Sequence, residues 1–288
     1  MYKTYGVYCN LCYQLLKEIR EIFIFKIVDG RWIRKKLKGG VYLKRDKIRK
    51  FFIFVCVVVF VFSAFQVIKI IENGKREENN FEKLRADIKS EGEKAGNKRN
   101  SEEKLNMLFN QNQDFIAWIS IEDTPIDYPV MSTPNDPNYY LRRDFNKEYA
   151  ISGTFFIGDG LKPDSQSFVV YGHNMQNSKM FGTLDNYEDK AYMEEHKYIE
   201  FKTLKEDRRY EVIAAFYTNI ETSNFKYFNF CGNPSREDFE KYIKNLSKVS
   251  LYGKVENITH EDQIMMLSTC SDTSGPERFV VVAKRIIN

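Results

Sequence analysis

Three residues in the second half of the chain are of the types that carry out acyl transfer through a cysteine. Cys270 ends the apolar run Ile264-Met-Met-Leu-Ser-Thr-Cys270, where a strand is expected to give way to a loop. His173 holds the same kind of position after Val170-Tyr-Gly, and Arg278 opens the final apolar run. Strand ends that border loops are where rigid scaffolds present reactive groups.

A cysteine and a histidine can divide the work of nucleophile and proton carrier. The thiolate is the reactive form of cysteine, and unperturbed pKa values near ~8.5 and ~6.5 make a thiolate–imidazolium pair a minority at neutral pH. A short connection separates Cys270 from Arg278, so a hairpin would set the guanidinium near the sulfur. There its permanent charge can stabilise a thiolate, a substrate carbonyl or an oxyanion.

Each residue of this kind also has a plain structural interpretation. A free cysteine is most often a buried apolar filler, and an arginine beside a strand is more often a solvated edge charge. His196 and His260 lie in polar stretches typical of surface residues, and Cys231 lies in a turn-like stretch. Cys9 and Cys12 have the spacing of a metal or redox pair but lack a second pair of ligands. We therefore expect no metal and no cofactor.

The elements that position these residues are mainly short strands. Runs rich in β-branched and aromatic residues predict eight of them, at residues 115–121, 127–130, 153–156, 167–171, 198–203, 210–218, 264–269 and 279–286. Helical spacing predicts an N-terminal helix at 101–112 and inserted helices at 189–196 and 235–246. The last begins with Ser235-Arg-Glu-Asp238, which resembles a capping box. A mostly β fold in a closed or nearly closed barrel is the prediction.

One apolar stretch, residues 51–71, has about the ~20 residues that a helix needs to cross a bilayer. It lacks a polar face, and Cys56 within it is an apolar filler. The basic run Lys44–Lys50 precedes it, so the positive-inside rule predicts a cytoplasmic N-terminus and an extracellular remainder. The chain is therefore predicted to be a single-pass protein of the cell membrane, with membrane lipid as a partner.

Composition sets the remaining limits on domains and partners. The 288 residues are 43% hydrophobic, enough for a core, and the net charge of +4 comes with basic residues gathered near the N-terminus. This distribution does not predict a nucleic-acid partner. We expect a basic cytoplasmic segment at 1–50, a transmembrane anchor at 51–71, an extracellular stalk at 72–100 that is solvated or forms a loose helix, and a catalytic domain at 101–288.

Three segments of the chain resemble the signature segments of class B sortases: Tyr-Gly-His-Asn-Met around His173, Leu-Ser-Thr-Cys ending at Cys270, and Arg-Phe-Val-Val-Val-Ala-Lys from Arg278. Supporting matches are Ala117-Trp-Ile-Ser-Ile121, Ile126-Asp-Tyr-Pro-Val130, Tyr139-Tyr-Leu141, Gly153-Thr-Phe-Phe156 and Lys179-Met-Phe181. The resemblance covers roughly residues 101–286. It implies an eight-stranded sortase-like β-barrel with an extra helix before one of the last strands, which agrees with the strand count above.

The resemblance also implies an activity. Sortases are transpeptidases that cleave a C-terminal sorting signal of a secreted protein, hold the acyl part as a Cys thioester and pass it to an amine of a peptidoglycan precursor. Cys270 is then the expected nucleophile, His173 its proton partner and Arg278 the charge stabiliser. Residues expected to contact the bound peptide, unless they serve ordinary strand packing, are Tyr171, Ser268 and Thr269.

Two other functions fit the same residues. A membrane-tethered cysteine peptidase would form the same thioester and pass the acyl group to water. A non-enzymatic extracellular β-barrel binding module would keep the motif residues only as packing. Product analysis with and without an amine acceptor separates the first from a transpeptidase, and reaction of Cys270 with a thiol probe separates the second.

Overall fold

The computed structural model describes residues 45–89, 98–158, 161–270 and 275–287, with the backbone alone at 45–49, 98–101 and 270. The chain divides into two compact units, one ending at Ser63 and the other beginning at Ala64. The interpretations of Cys9, Cys12 and the cytoplasmic segment up to residue 44 lie outside the described residues.

Helix α1, Arg45–Lys89, contains the apolar stretch that was predicted to cross a membrane. Its large side chains are exposed all along that stretch, as at Phe54 (65%) and Phe60 (73%). A helix that is apolar on every side is typical of a protein core or of a membrane span. The helix is long and apolar enough to span a bilayer, so α1 is a candidate membrane anchor.

The C-terminal part of α1, residues 72–89, corrects the expectation of a solvated stalk. Phe81 and Leu84 are only 3% and 6% exposed and belong to the main hydrophobic core. Ile88 packs against the same core, so positions 81, 84 and 88 form one helical stripe. The stripe is narrow and flanked by charges, and it docks this stretch onto the folded domain.

The eight predicted strands close into a barrel. They are β1 Phe115–Ile121, β2 Asp127–Met131, β3 Phe155–Ile157, β4 Ser167–Gly172, β5 Tyr198–Thr203, β6 Asp207–Asn219, β7 Ile264–Cys270 and β8 Glu277–Ile286. Around the barrel the order is β1-β2-β3-β4-β7-β8-β6-β5. The parallel pairs are β2 with β3 and β4 with β7, and the other neighbours are antiparallel.

Three further helices are α2 Lys98–Gln111, α3 Lys190–Glu195 and α4 Arg236–Val249. They confirm the predicted helices to within three residues at each end. The cap of α4 is also confirmed, because the Ser235 hydroxyl accepts a hydrogen bond from the Asp238 amide at 3.2 Å.

Strand alternation divides the buried side chains between the two faces of the sheet. In β7, Met265 and Leu267 join the main core, whereas Ile264 and Met266 join a second cluster. The side chains of α4 complete that second cluster. The β4-β7-β8 part of the barrel is therefore packed on both faces, which makes it a rigid support for residues at its edge.

Candidate functional site

The backbone register brings the three predicted catalytic positions to one edge of the barrel. Strands β4 and β7 are parallel and end together, with Gly172 opposite Thr269. His173 and Cys270 are the next residues on these two strands. Strand β8 runs the other way, and its Arg278 is the register partner of Cys270. Three adjacent strands thus carry a histidine, a cysteine and an arginine side by side.

Gly172, the residue before His173, lies where aromatic rings pack closely against the backbone. A Cβ atom at position 172 would lie 2.5 Å from a ring carbon of Phe155 and 2.6 Å from one of Phe181. These two rings stack with centroids 4.0 Å apart directly beneath the strand end. Only glycine leaves room for this stack, which fixes the point from which His173 projects.

His173 opens a turn of residues 173–182, which we call the histidine loop. The loop folds back on itself, since the Phe181 amide donates to the His173 carbonyl at 2.9 Å and Asn174 pairs with Met180 as an isolated bridge. At its end Gly182 is again required, because a Cβ there would lie 2.1 Å from the Met175 carbonyl oxygen.

Burial lowers the pKa of His173 from 6.5 to about 4, and the positive charge of Arg142 adds to the effect. Arg142 ends the short 3-10 helix Tyr139–Arg142 and donates to the Ile151 carbonyl at 2.5 Å. Among the described residues, no side chain or carbonyl forms a hydrogen bond with the His173 ring. The imidazole is therefore neutral at pH 7 and able to accept a proton from a reacting group.

Arg278 is half-buried at the start of β8. Its Nη1 donates to the carbonyls of Gly275 at 2.9 Å and Glu277 at 2.7 Å. On the other side of β8, Thr218 of β6 is its register partner. The guanidinium is thus oriented by the backbone that leads into the strand, and the residue that carries it pairs with position 270.

The sequence did not single out Asp185, which lies in the 3-10 helix Leu184–Glu188. Its Oδ2 accepts a hydrogen bond at 2.9 Å from Asn174, the residue after His173. Burial raises the pKa of this carboxyl, and the nearby Glu188 carboxylate raises it further, against the lowering effect of Asn174. No local signal marked Asp185 or Arg142, because only the fold brings them near the histidine.

The three residues expected to contact a bound peptide lie close to this edge but differ in exposure. Tyr171 is half-buried, with its ring 5.6 Å from that of Phe156. Ser268 is 1% exposed, and its hydroxyl shares a hydrogen bond of 2.7 Å with the Tyr227 hydroxyl. Thr269 is 2% exposed. Tyr171 is therefore the best placed of the three to meet a ligand through its side chain.

The other histidines and cysteines lie elsewhere and have structural surroundings. His196 ends α3, with Nδ1 3.0 Å from the Glu122 carbonyl, and the His260 Nε2 lies 2.9 Å from the Pro234 carbonyl. Cys231 is partly buried against the second cluster, and Cys56 is exposed on α1. Within the described ranges, no group of three or more His, Cys, Asp or Glu residues could hold a metal ion.

Known proteins share this fold and much of this sequence. A family model described as the sortase domain matches residues 119–286. Sortase B of Staphylococcus aureus (strain NCTC 8325 / PS 47) is 27% identical over 234 residues, covering 80% of this chain and 93% of that protein. A solved Staphylococcus aureus sortase B–substrate complex is 28% identical with a TM-score of 0.63, covering 74% of this chain and 97% of that one. A mutant form of Clostridium perfringens sortase B is also 28% identical, with a TM-score of 0.62, over 73% and 98% of the two chains.

The family match covers more than half of the chain and includes all eight strands except most of β1. The similar structures are class B sortases, which confirms the predicted resemblance and the barrel. The peptidase and the non-enzymatic binding module are not favoured by these findings. This chain belongs to the sortase family and is a cysteine transpeptidase.

Proposed function

We propose that Cys270 is the nucleophile, His173 the proton carrier and Arg278 the charge stabiliser of this transpeptidase. One observation carries the assignment: Cys270 is the register partner of Arg278, and His173 directly follows Gly172, which pairs with Thr269 on the neighbouring strand. The proposed substrates are secreted proteins with a C-terminal sorting signal, and the proposed acceptor is an amine of a peptidoglycan precursor. Related sortase B from Staphylococcus aureus has been solved as a substrate complex, which supports a peptide substrate.

Acylation begins with a neutral thiol and a neutral imidazole. As the Cys270 sulfur bonds to the scissile carbonyl carbon, its proton passes to His173 and the carbonyl oxygen becomes an oxyanion. Arg278 stabilises that negative charge. Collapse of the intermediate breaks the C–N bond, and the imidazolium gives its proton to the leaving amine. The acyl part of the substrate remains on Cys270 as a thioester.

Transfer repeats these steps in reverse with a different amine. The nitrogen of the acceptor bonds to the thioester carbonyl carbon, and its surplus proton passes to neutral His173. The C–S bond then breaks, and the departing sulfur recovers the proton. The net result is one amide bond broken and one formed, with the enzyme unchanged. In the proposed peptide site, the Tyr171 ring lines the groove, while Ser268 and Thr269 shape the strand beneath it.

Replacing individual cysteines tests this assignment. We expect Cys270→Ala to abolish thioester formation with a peptide selected from a library, measured by mass spectrometry of the intact protein. Cys231→Ala is the matched control and should keep most activity, because Cys231 lies in a turn on the second cluster. Equal loss of activity in the two variants would contradict the assignment of Cys270. Product analysis with and without candidate wall amines then tests the transfer step.

The proposed topology has the N-terminus in the cytoplasm and the catalytic domain outside the cell. It is supported by the basic residues ahead of the apolar part of α1. Protease added to cells stripped of their wall should digest the domain after residue 72. Protection of the barrel in this assay, with digestion after lysis, would reverse the orientation.

A further inference from the structure

Residues 72–89 of α1 are held on the barrel by a buried carboxylate as well as by apolar contacts. Glu77 is 6% exposed. Its carboxylate accepts hydrogen bonds from the Ile151 amide at 2.9 Å, the Ser152 hydroxyl at 2.7 Å and the Ser152 amide at 3.3 Å. One turn later, Phe81 enters the core. A buried charge with several donors fixes the helix in one position, because any shift would leave the charge without its partners.

The histidine loop lies next to this docked helix and has a strained backbone. Ser178 and Met180 have positive φ angles of 62° and 53°. Such angles are uncommon for residues other than glycine, and they persist only where the surroundings hold them in place. The loop that carries His173 therefore depends on contacts from outside itself.

The first such contact is an ion pair between Lys179 of the loop and Glu78 of α1. The Glu78 carboxylate is 27% exposed, and the Arg85 Nη1 also lies 3.4 Å from it. Burial opposes the charged form of Glu78, but Lys179 and Arg85 outweigh burial and lower the pKa of this carboxyl. Glu78 is thus held ionised at neutral pH, facing the loop.

The second contact reaches the next residue of the loop through a tyrosine. The Tyr128 hydroxyl accepts a hydrogen bond from the Met180 amide at 3.3 Å. Arg85 covers the Tyr128 ring at 4.4 Å and donates from Nε to the Asp127 carbonyl at 2.9 Å. Phe81 meets the same ring edge-on at 5.1 Å. Two residues of α1 therefore fix the tyrosine that holds Met180.

The two anchored residues lie immediately before Phe181, on the segment that pairs with the backbone of His173 and Asn174. Met180 pairs with Asn174, and the Phe181 amide donates to the His173 carbonyl. The residues that contact α1, Lys179 and Met180, are thus connected to His173 through this backbone pairing. A displacement of residues 179–180 would therefore move the imidazole relative to Cys270.

We propose that residues 77–85 of α1 position the general acid and base of this enzyme, with Glu78 and Arg85 as positioning residues for His173. The helix that follows the apolar segment is in this way part of the catalytic apparatus, although it touches no reacting atom. This inference rests on the proposed role of His173. It predicts that the loss of a single contact on α1 impairs proton transfer more than it impairs peptide binding.

The test uses the full chain in detergent micelles, with a library-selected peptide as the acyl donor. We expect Glu78→Gln to lower kcat by about three- to tenfold while KM stays within about twofold, in line with the loss of one partly buried ion pair. Amide hydrogen exchange at residues 173–182 should become faster in the same variant. The reversed pair E78K with K179E should restore at least half of the lost turnover.

Glu148→Gln is the matched control. It removes the 3.2 Å ion pair between Arg76 and Glu148, which joins the same helix to the domain away from the histidine loop. A kcat for Glu78→Gln within twofold of this control, or unchanged exchange in the loop, would overturn the positioning role. His173→Ala separates the two proposals: if it keeps full turnover, the role of His173 fails, whereas the exchange data still report whether α1 holds the loop.

Discussion

The lowered pKa of His173 makes the stability of the folded domain depend on pH in a way that one substitution can isolate. Above pH 6.5 the imidazole is neutral in both the folded and the unfolded chain, so it adds no pH dependence. Between pH 6.5 and about 4 the unfolded chain binds a proton that the partly buried ring of the folded chain does not bind. The free energy of unfolding therefore falls as the pH falls through this window. Below pH 4 both states are protonated and the effect is complete.

The size of the effect follows from the two pKa values. The two pKa values differ by about 2.5, and at 1.36 kcal/mol for each pKa unit this gives an upper limit between about 3 and 4 kcal/mol. His173→Gln keeps a polar side chain of similar reach but cannot be protonated. We expect the free energy of unfolding of the variant, relative to the parent, to rise by about 2–3 kcal/mol between pH 7 and pH 4.

Urea unfolding of residues 64–288 measures this difference directly. Trp118, the single tryptophan of that unit, is 2% exposed and reports unfolding by its fluorescence. Carboxyl groups titrate in both proteins, so their contribution cancels in the comparison. Parallel stability curves for parent and variant, differing by less than about 1 kcal/mol across the window, would refute the lowered pKa of His173 inferred from the structure.

Two further predictions concern the neighbours of His173. Arg278→Lys should slow single-turnover acylation by about 10²–10³-fold, because an ammonium lacks the planar fork of donors. Cys270 of this variant should still react with a small alkylating probe. Near-normal acylation would show that Arg278 contributes only its positive charge. Gly172→Ala should cost about 1–3 kcal/mol, because the added Cβ displaces the stacked rings of Phe155 and Phe181. The melting temperature and the kcat of this variant should both fall. An unchanged melting temperature would show that the two rings move freely.

The barrel was predictable because its strands carry strong local signals. Strands such as β1 and β7 are rich in large apolar residues, so their type and bounds follow from composition and flanking turns. The three candidate catalytic positions were predictable for the same reason, as each stands at the end of such a run. Only the pairing of strands far apart in sequence, β4 with β7, brings them together, and no local pattern contains that pairing.

The docked part of α1 was missed because only three apolar side chains, Phe81, Leu84 and Ile88, mark its contact face. Position 77, one turn before that stripe, is a glutamate, and the residues on either side of it are charged. A stripe with so few apolar side chains is typical of a solvated helix. Its burial depends on the Ile151 and Ser152 amides, which satisfy the Glu77 carboxylate and are 74 and 75 residues away in the chain. The surroundings of His173 were unpredictable for a related reason, since burial and the approach of Arg142 arise from tertiary packing.

A pKa of about 4 gives His173 unequal strength in the two halves of the proposed reaction. The imidazolium formed during acylation is a far stronger acid than the leaving amine, whose conjugate acid has a pKa of about 8, so proton transfer to the leaving group is downhill. In the second half the neutral ring is a weak base. It cannot deprotonate a free ammonium group, whose pKa is about 8 to 10. The acceptor amine must therefore arrive neutral and lose its proton only after it has bonded to the thioester carbon, when the nitrogen is more acidic than a free ammonium group. The neutral ring must then lie within reach of that nitrogen, and this is the placement that the proposed contacts between α1 and the histidine loop would maintain.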